Sequence, residues 1–172
     1  MEYILHLFIL ICFYTLLSQS LNLSAGFTGL ISLAHAGFYG IGAYTTAILS
    51  TQFGFSFWLS IPLAMLISGA IAFIVSLIAL RTVEDYFIIC TLGIQVILFS
   101  LMNNWMELTR GPLGIPGIPS ISLFGFNFDS KISFLTLSLL FVALIWFLLR
   151  NISQSGFGKT LISISEDEIY TQ

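Results

Sequence analysis

The chain has 172 residues, of which 58% are hydrophobic and only 8% charged, and its formal net charge is −3. An ordinary soluble domain carries about 25% charged residues, so too few polar side chains are present to cover a water-facing surface. No basic patch points to nucleic acid or to an anionic membrane surface.

The charges are also clumped: residues 3–80 contain no Asp, Glu, Lys or Arg. A membrane-spanning helix needs about 20 mostly apolar residues, and this run holds three. Two further charge-free windows, 86–106 and 132–149, hold one each. The expectation is an all-α, polytopic transmembrane helix bundle of about five spans, over 3–21, 28–50, 58–80, 86–105 and 132–149. The N-terminus lacks the basic n-region of a signal peptide and no A-x-A-like site follows, so the first segment reads as a retained helix.

Segment 3–21 is bulky and lipid-like. Segment 28–50 differs in kind, being rich in Gly, Ala, Ser and Thr. Ser32, Ala36 and Gly40 fall four residues apart, a small stripe on a helix face that lets backbones approach closely in lipid. Segment 58–80 places Pro62 in its first turn, where a missing N–H costs little. Segment 86–105 carries Thr91, Gln95 and Ser100, polar groups that need partners in a dry environment. Trp58 and Trp105 fall near one interface and Trp146 nearer the other.

Five spans put the termini on opposite sides. Arg81, Arg150 and Lys159 share one side, Arg110 and Lys131 the other, so the positive-inside bias leans to a cytoplasmic C-terminus.

Several motifs carry a sharp reading beside a bland one. His35, at membrane depth, is by default a functional residue, yet a neutral imidazole also serves as a packing group that hydrogen-bonds a neighbouring helix. His6 does not share a haem or metal with it, because their depths differ by roughly 15 Å at a rise of 1.5 Å per residue. Cys12 and Cys90 fall within spans and read as buried thiols, neither a disulfide framework nor a zinc site. The run SGFGKT at 155–160 imitates a Walker A loop, but Ser153 stands where the first glycine belongs and a membrane helix precedes it. No H-E-x-x-H, G-x-S-x-G or paired acid is present within a span. No catalytic group, metal or cofactor is therefore expected.

The loop 106–131 contains a dense run of turn formers, with Arg110, Gly111, Pro112, Gly114 and Pro116 at its head. Its plain reading is a stiff connection; a docking surface is the sharper one. The tail 156–172 alternates apolar residues with Lys159, Glu166, Asp167 and Glu168. That pattern suits an interfacial helix, but the acidic cluster repels an anionic leaflet, which favours a protein partner.

In order, these segments resemble a known family. Residues 21–44, LNLSAGFTGLISLAHAGFYGIGAY, closely resemble the second-helix signature of the LivM-type permeases of branched-chain amino-acid ABC importers. Residues 81–92, with the core DYFIICTL, look like its next signature, and 104–119, NWMELTRGPLGIPGIP, like its external Gly/Pro loop. Residues 156–168, GFGKTLISISEDE, are similar to its cytoplasmic coupling segment.

The resemblance implies a type II ABC-importer permease in a bacterial inner membrane. It implies a second, LivH-like permease subunit, cytoplasmic ATPases that hydrolyse ATP, and a periplasmic or lipid-anchored solute-binding protein. Gly156, Phe157, Gly158, Lys159, Glu166, Asp167 and Glu168 would couple to the ATPase. Arg110, Gly111, Pro112, Gly114 and Pro116 would face the binding protein. Ser32, His35, Ala36, Gly40 and Gln95 would line or pack the pathway. Urea and short-amide permeases share the signatures, and a membrane anchor for an enzyme or electron carrier is the reading from a different class. Family permeases continue past the coupling segment, so this chain is expected to be an N-terminal part.

Overall fold

The computed structural model describes all residues except 1, 28, 83, 124–125, 128–129, 157, 159 and 161–172, and describes 84–85, 122–123 and 126–127 by backbone alone. The architecture is all-helical apart from one minimal ladder. Five α-helices follow in order: α1 (Glu2–Leu21), α2 (His35–Thr51), α3 (Phe57–Ala79), α4 (Glu84–Asn104) and α5 (Lys131–Gln154). A π-helical turn, Asn22–Gly26, extends α1, and a 3-10 turn, Gly111–Leu113, follows α4. The ladder pairs β1 (Ser122–Leu123) with β2 (Phe126–Asn127), antiparallel.

Four segments are long and apolar enough to cross a membrane: Glu2–Gly26, Phe57–Ala79, Tyr86–Asn104 and Lys131–Gln154. In such a solvent the helix is the economical structure, because it satisfies every internal backbone group within one segment. Many of the exposed side chains along them, such as Phe73, Ile74, Ile97 and Phe147, are large and apolar.

The chain divides into two compact units. The first comprises residues 1–31 and 128–172, the second 32–127. In the first unit α1 and α5 run parallel. Both begin at the same end, where the Lys131 ammonium meets the Glu2 carboxylate at 2.5 Å. Phe13 and Phe134 rings pack 6.3 Å apart further along. In the second unit α2 and α3 form an antiparallel hairpin. Its turn uses Gly54 at φ 65°, where a side chain is strained, and Phe53 stacks on Phe55. The Ser68 hydroxyl of α3 donates to the Phe38 carbonyl of α2 at 3.1 Å. A short turn then reverses the chain into α4, which runs parallel to α2.

Two expectations change. The second hydrophobic segment, expected as helix from 28, becomes helical only at His35; residues 29–34 are non-helical and Gly29 has φ 72°. Ser32 therefore precedes α2, and the stripe Ser32–Ala36–Gly40 does not exist as a helix face. Pro62 lies in the sixth position of α3 rather than its first turn, because the helix begins at Phe57. There it removes a backbone donor inside the helix.

The shortened α2 is not among these four segments. At 17 residues it is about 25 Å long, against a hydrocarbon core of about 30 Å.

Candidate functional site

The break before α2 is the feature that most needs explaining. Non-helical backbone at membrane depth survives only where protein buries it or where it lines a water-filled cavity. Here α4 supplies part of the cover. Ala34 is fully buried, and its carbonyl accepts from the amides of Gly37 (2.9 Å) and Phe38 (3.2 Å) as α2 starts. The Leu33 amide donates to the Thr91 hydroxyl oxygen at 3.2 Å. That hydroxyl in turn donates to Ile88 within α4 at 3.0 Å. Thr91 is 1% exposed. One β-branched polar side chain thus closes its own valence on its helix and pins the lead-in of another.

Two glycines set the spacing of α2 against α4. A Cβ on Gly37 would meet the Gln95 Oε1 and a Leu98 methyl, each at 2.7 Å, and one on Gly40 would meet the Met102 sulfur at 2.9 Å. Gly37 and Gly40 lie one turn apart, so they share a face. Gly40 is placed by sequence reasoning; Gly37 is not, although it sits three residues before Gly40. Ala36, by contrast, is exposed and turned away from this contact.

Gln95 lies on the α4 side of the contact. Its Oε1 is buried and has no hydrogen-bond donor among the described residues. In a dry environment such an acceptor costs about 1–3 kcal/mol unless a donor arrives. His35 opens α2, half-buried, and its imidazole makes no hydrogen bond among the described residues. Ser32, partly exposed, precedes it in the lead-in. The structure therefore gathers Leu33 to Gly40 with Thr91, Gln95 and Met102. Among the described residues no group of three or more His, Cys, Asp or Glu is arranged to hold a metal.

A second locus follows α4. The Thr109 hydroxyl is buried, reaches the carbonyls of Met102 (2.6 Å) and Trp105 (2.8 Å), and accepts from the Gly111 amide at 3.2 Å. This clamp holds Arg110 in the left-handed region at φ 59°, the one described non-glycine residue with positive φ. Such a conformation costs a non-glycine residue roughly 1–2 kcal/mol. Gly111 is obligatory in another way: at φ 55° its Cβ would lie 2.6 Å from the Asn103 carbonyl oxygen. Gly114 and Gly117 also take positive φ. Arg110, Pro112 and Pro116 stand exposed on this rigid knuckle.

A third locus ends α5. The Ser155 amide closes the helix by donating to the Asn151 and Ile152 carbonyls, each at 3.1 Å. Its hydroxyl donates to Ile152 at 2.6 Å and accepts from the Gly158 amide at 3.3 Å. Gly158 is buried against the last turn, and a Cβ there would strike the Ile152 and Ser153 backbone. Gly156 is exposed. Phe157, Lys159, Glu166, Asp167 and Glu168 lie outside the described residues.

Comparisons with known proteins agree on the class. The chain is 36% identical over 179 aligned residues to the "High-affinity branched-chain amino acid transport system permease protein LivM" of Salmonella typhimurium LT2. It is 35% identical to the protein of the same name from Escherichia coli K12. Each alignment covers 91% of this chain and 42% of the relative, so the chain spans less than half the length of these curated relatives. No solved structure matches. Residues 3–172 match the family "Branched-chain amino acid transport system / permease component". The chain is a multi-pass membrane protein that belongs to this family of transport permease components.

Proposed function

We propose that the chain forms part of the permease subunit of an ATP-driven importer of branched-chain amino acids in a bacterial inner membrane. Family membership over residues 3–172 supports the transport reading, and the curated relatives' printed substrate class supplies the solute. The structural observation that supports it is the non-helical lead-in before α2, which this reading places at membrane depth as an interrupted second crossing. A purely structural membrane helix has no need of non-helical backbone at depth, whereas transporter helices are broken where they face a solute. The lead-in before His35, backed by Thr91 and Gln95, is the segment of this chain that lines the pathway.

In this reading the Arg110 knuckle faces a solute-binding protein outside, since a rigid, exposed guanidinium suits a carboxylate on a partner. The turn after α5 faces a cytoplasmic ATPase, with Gly156 to Glu168 as the coupling segment. A second permease subunit completes the pathway. The C-terminus is then cytoplasmic. No ATP is hydrolysed by this chain itself.

The test is uptake. The chain is expressed with its companion permease and ATPase subunits and its binding protein, and import of radiolabelled leucine and of urea is measured. The reading predicts leucine import that requires ATP and stops when this chain is omitted. Import of urea but not leucine would reassign the solute to the short-amide class. Leucine import unaffected by omission would refute the reading.

A further inference from the structure

Within the first unit, the ends of α1 and α5 border an open cavity of about 190 Å³, lined by Gln19, Leu23, Phe27, Trp146, Leu149 and Arg150 among others. Apart from Ser153, whose backbone packs under Gly158, the lining residues have no part in the pathway, the knuckle or the coupling turn. Three features make the cavity chemically specific.

Arg150 brings a cation with no carboxylate opposite it among the described residues. Its guanidinium lies 5.4 Å from the Trp146 ring centroid, a cation–π contact that fixes its position without neutralising it. Gln19 brings the opposite need. Its Oε1 is buried and receives no hydrogen bond among the described residues, so it is an acceptor waiting for an N–H. The backbone between them is also unusual. Asn22–Gly26 is a π-helical turn, a widening often found at functional sites, and Gly26 leaves room for the Asn22 carboxamide.

The cavity therefore asks for one ligand with an anion for Arg150 and a hydrogen-bond donor, strongest when charged, for Gln19. Its position selects among such ligands. It lies where two apolar spans, Glu2–Gly26 and Lys131–Gln154, end together. Trp146 and Arg150 there have the composition of an interfacial belt, and Leu23, Phe27 and Leu149 furnish an apolar wall for a chain leaving the headgroup.

We propose that this cavity is a binding site for a phospholipid headgroup carrying a primary ammonium, an ethanolamine phosphodiester. The phosphate sits on the Arg150 guanidinium, and the Gln19 carboxamide turns toward the cavity so that its Oε1 accepts from the ammonium. Two close relatives fit less well: a choline headgroup has no N–H to give, and a glycerol headgroup offers only neutral hydroxyl donors, which are weaker than a charged ammonium. A free amino acid shares the ammonium–anion chemistry but lacks acyl chains for the wall.

The experiment is lipid retention. The full chain is reconstituted in vesicles of equal phosphatidylethanolamine, phosphatidylcholine and phosphatidylglycerol, then extracted gently, and the retained lipids are quantified by mass spectrometry with and without millimolar leucine. The site predicts ethanolamine lipid enriched about tenfold over each competitor, the scale of one hydrogen bond to a charged group, and undisturbed by leucine. Gln19→Leu is expected to erase the preference over choline lipid, and Arg150→Ala to erase retention of all three. Equal retention of the three lipids by the wild-type chain would overturn the proposal, as would a preference for the glycerol headgroup. Displacement by leucine would overturn it too, by assigning the cavity to a free amino acid. Because the deciding comparison is made on the wild-type chain, misfolding of a variant leaves the test intact.

Discussion

Thr91→Val isolates the contact that pins the non-helical lead-in of α2. Valine matches threonine in shape, so no cavity opens, but it cannot accept from the Leu33 amide, now 3.2 Å from the hydroxyl. The hydroxyl's own proton goes to Ile88 within the helix, where the backbone carbonyl has other partners, so its loss is minor. What remains is one amide without an acceptor. An unsatisfied buried donor costs about 1–3 kcal/mol, while polar contacts in membrane proteins average nearer 0.6 kcal/mol because the unfolded chain also finds partners. The expected destabilisation is therefore about 1 kcal/mol, or roughly a fivefold shift in the folded-to-unfolded ratio. Thr91→Ser keeps the acceptor and should stay close to wild type. Reversible unfolding in mixed micelles, followed by far-UV circular dichroism, measures both. If valine and serine variants are equally stable, the threonine does not pin the lead-in.

Three further outcomes follow from the same geometry. Gly37→Ala pushes on the flexible ends of Gln95 and Leu98 and gains about 1 kcal/mol of helix propensity. It should be near neutral, whereas Gly37→Leu overpacks the α2–α4 contact by roughly 1–3 kcal/mol, read by the same unfolding assay. Arg110→Gly relieves the positive φ and should stabilise the chain by about 1 kcal/mol. In the assembled transporter it should weaken capture of the binding protein, measured by surface plasmon resonance; unchanged capture would remove Arg110 from that interface. Charged substitutions at Phe157 and Gly158 should reduce co-purification with the ATPase without preventing membrane insertion, and unchanged co-purification would count against the coupling segment.

Most of the fold is legible in the sequence because hydrophobic length is a strong physical signal. The apolar runs ending near Ala79 and Asn104 stop where charged or turn-forming residues would have to enter lipid. Gln154 shows the limit of that signal: α5 continues through Asn151 and Ser153 after the apolar run ends, since a helix already nucleated extends at little cost into polar surroundings. The break before His35 is the other limit. Residues 29–34 are as apolar as a helix, and what stops them from being one is tertiary: Gly29 at positive φ and a Thr91 hydroxyl 58 residues away. The candidate site shares this division. Gln95 and Gly40 are visible as a polar dot and a small residue. The pairing of Gly37 with Gln95 depends on the rotation of α2 about its axis, which shifts once Ser32 leaves the helix. Gln19 and Arg150 are each unremarkable in sequence, and only the parallel arrangement of α1 and α5 brings them into one cavity.

The pathway assignment of the lead-in is tested most directly by accessibility at Ser32. In a background where Cys12 and Cys90 are alanine, Ser32→Cys changes one atom at the break. The assembled transporter in vesicles is then treated with a membrane-impermeant thiol reagent, and the labelling rate is measured with and without leucine and the binding protein. The account predicts labelling from water and slower labelling during solute delivery. A cysteine at 32 that never reacts, or reacts at a rate indifferent to solute, would contradict it.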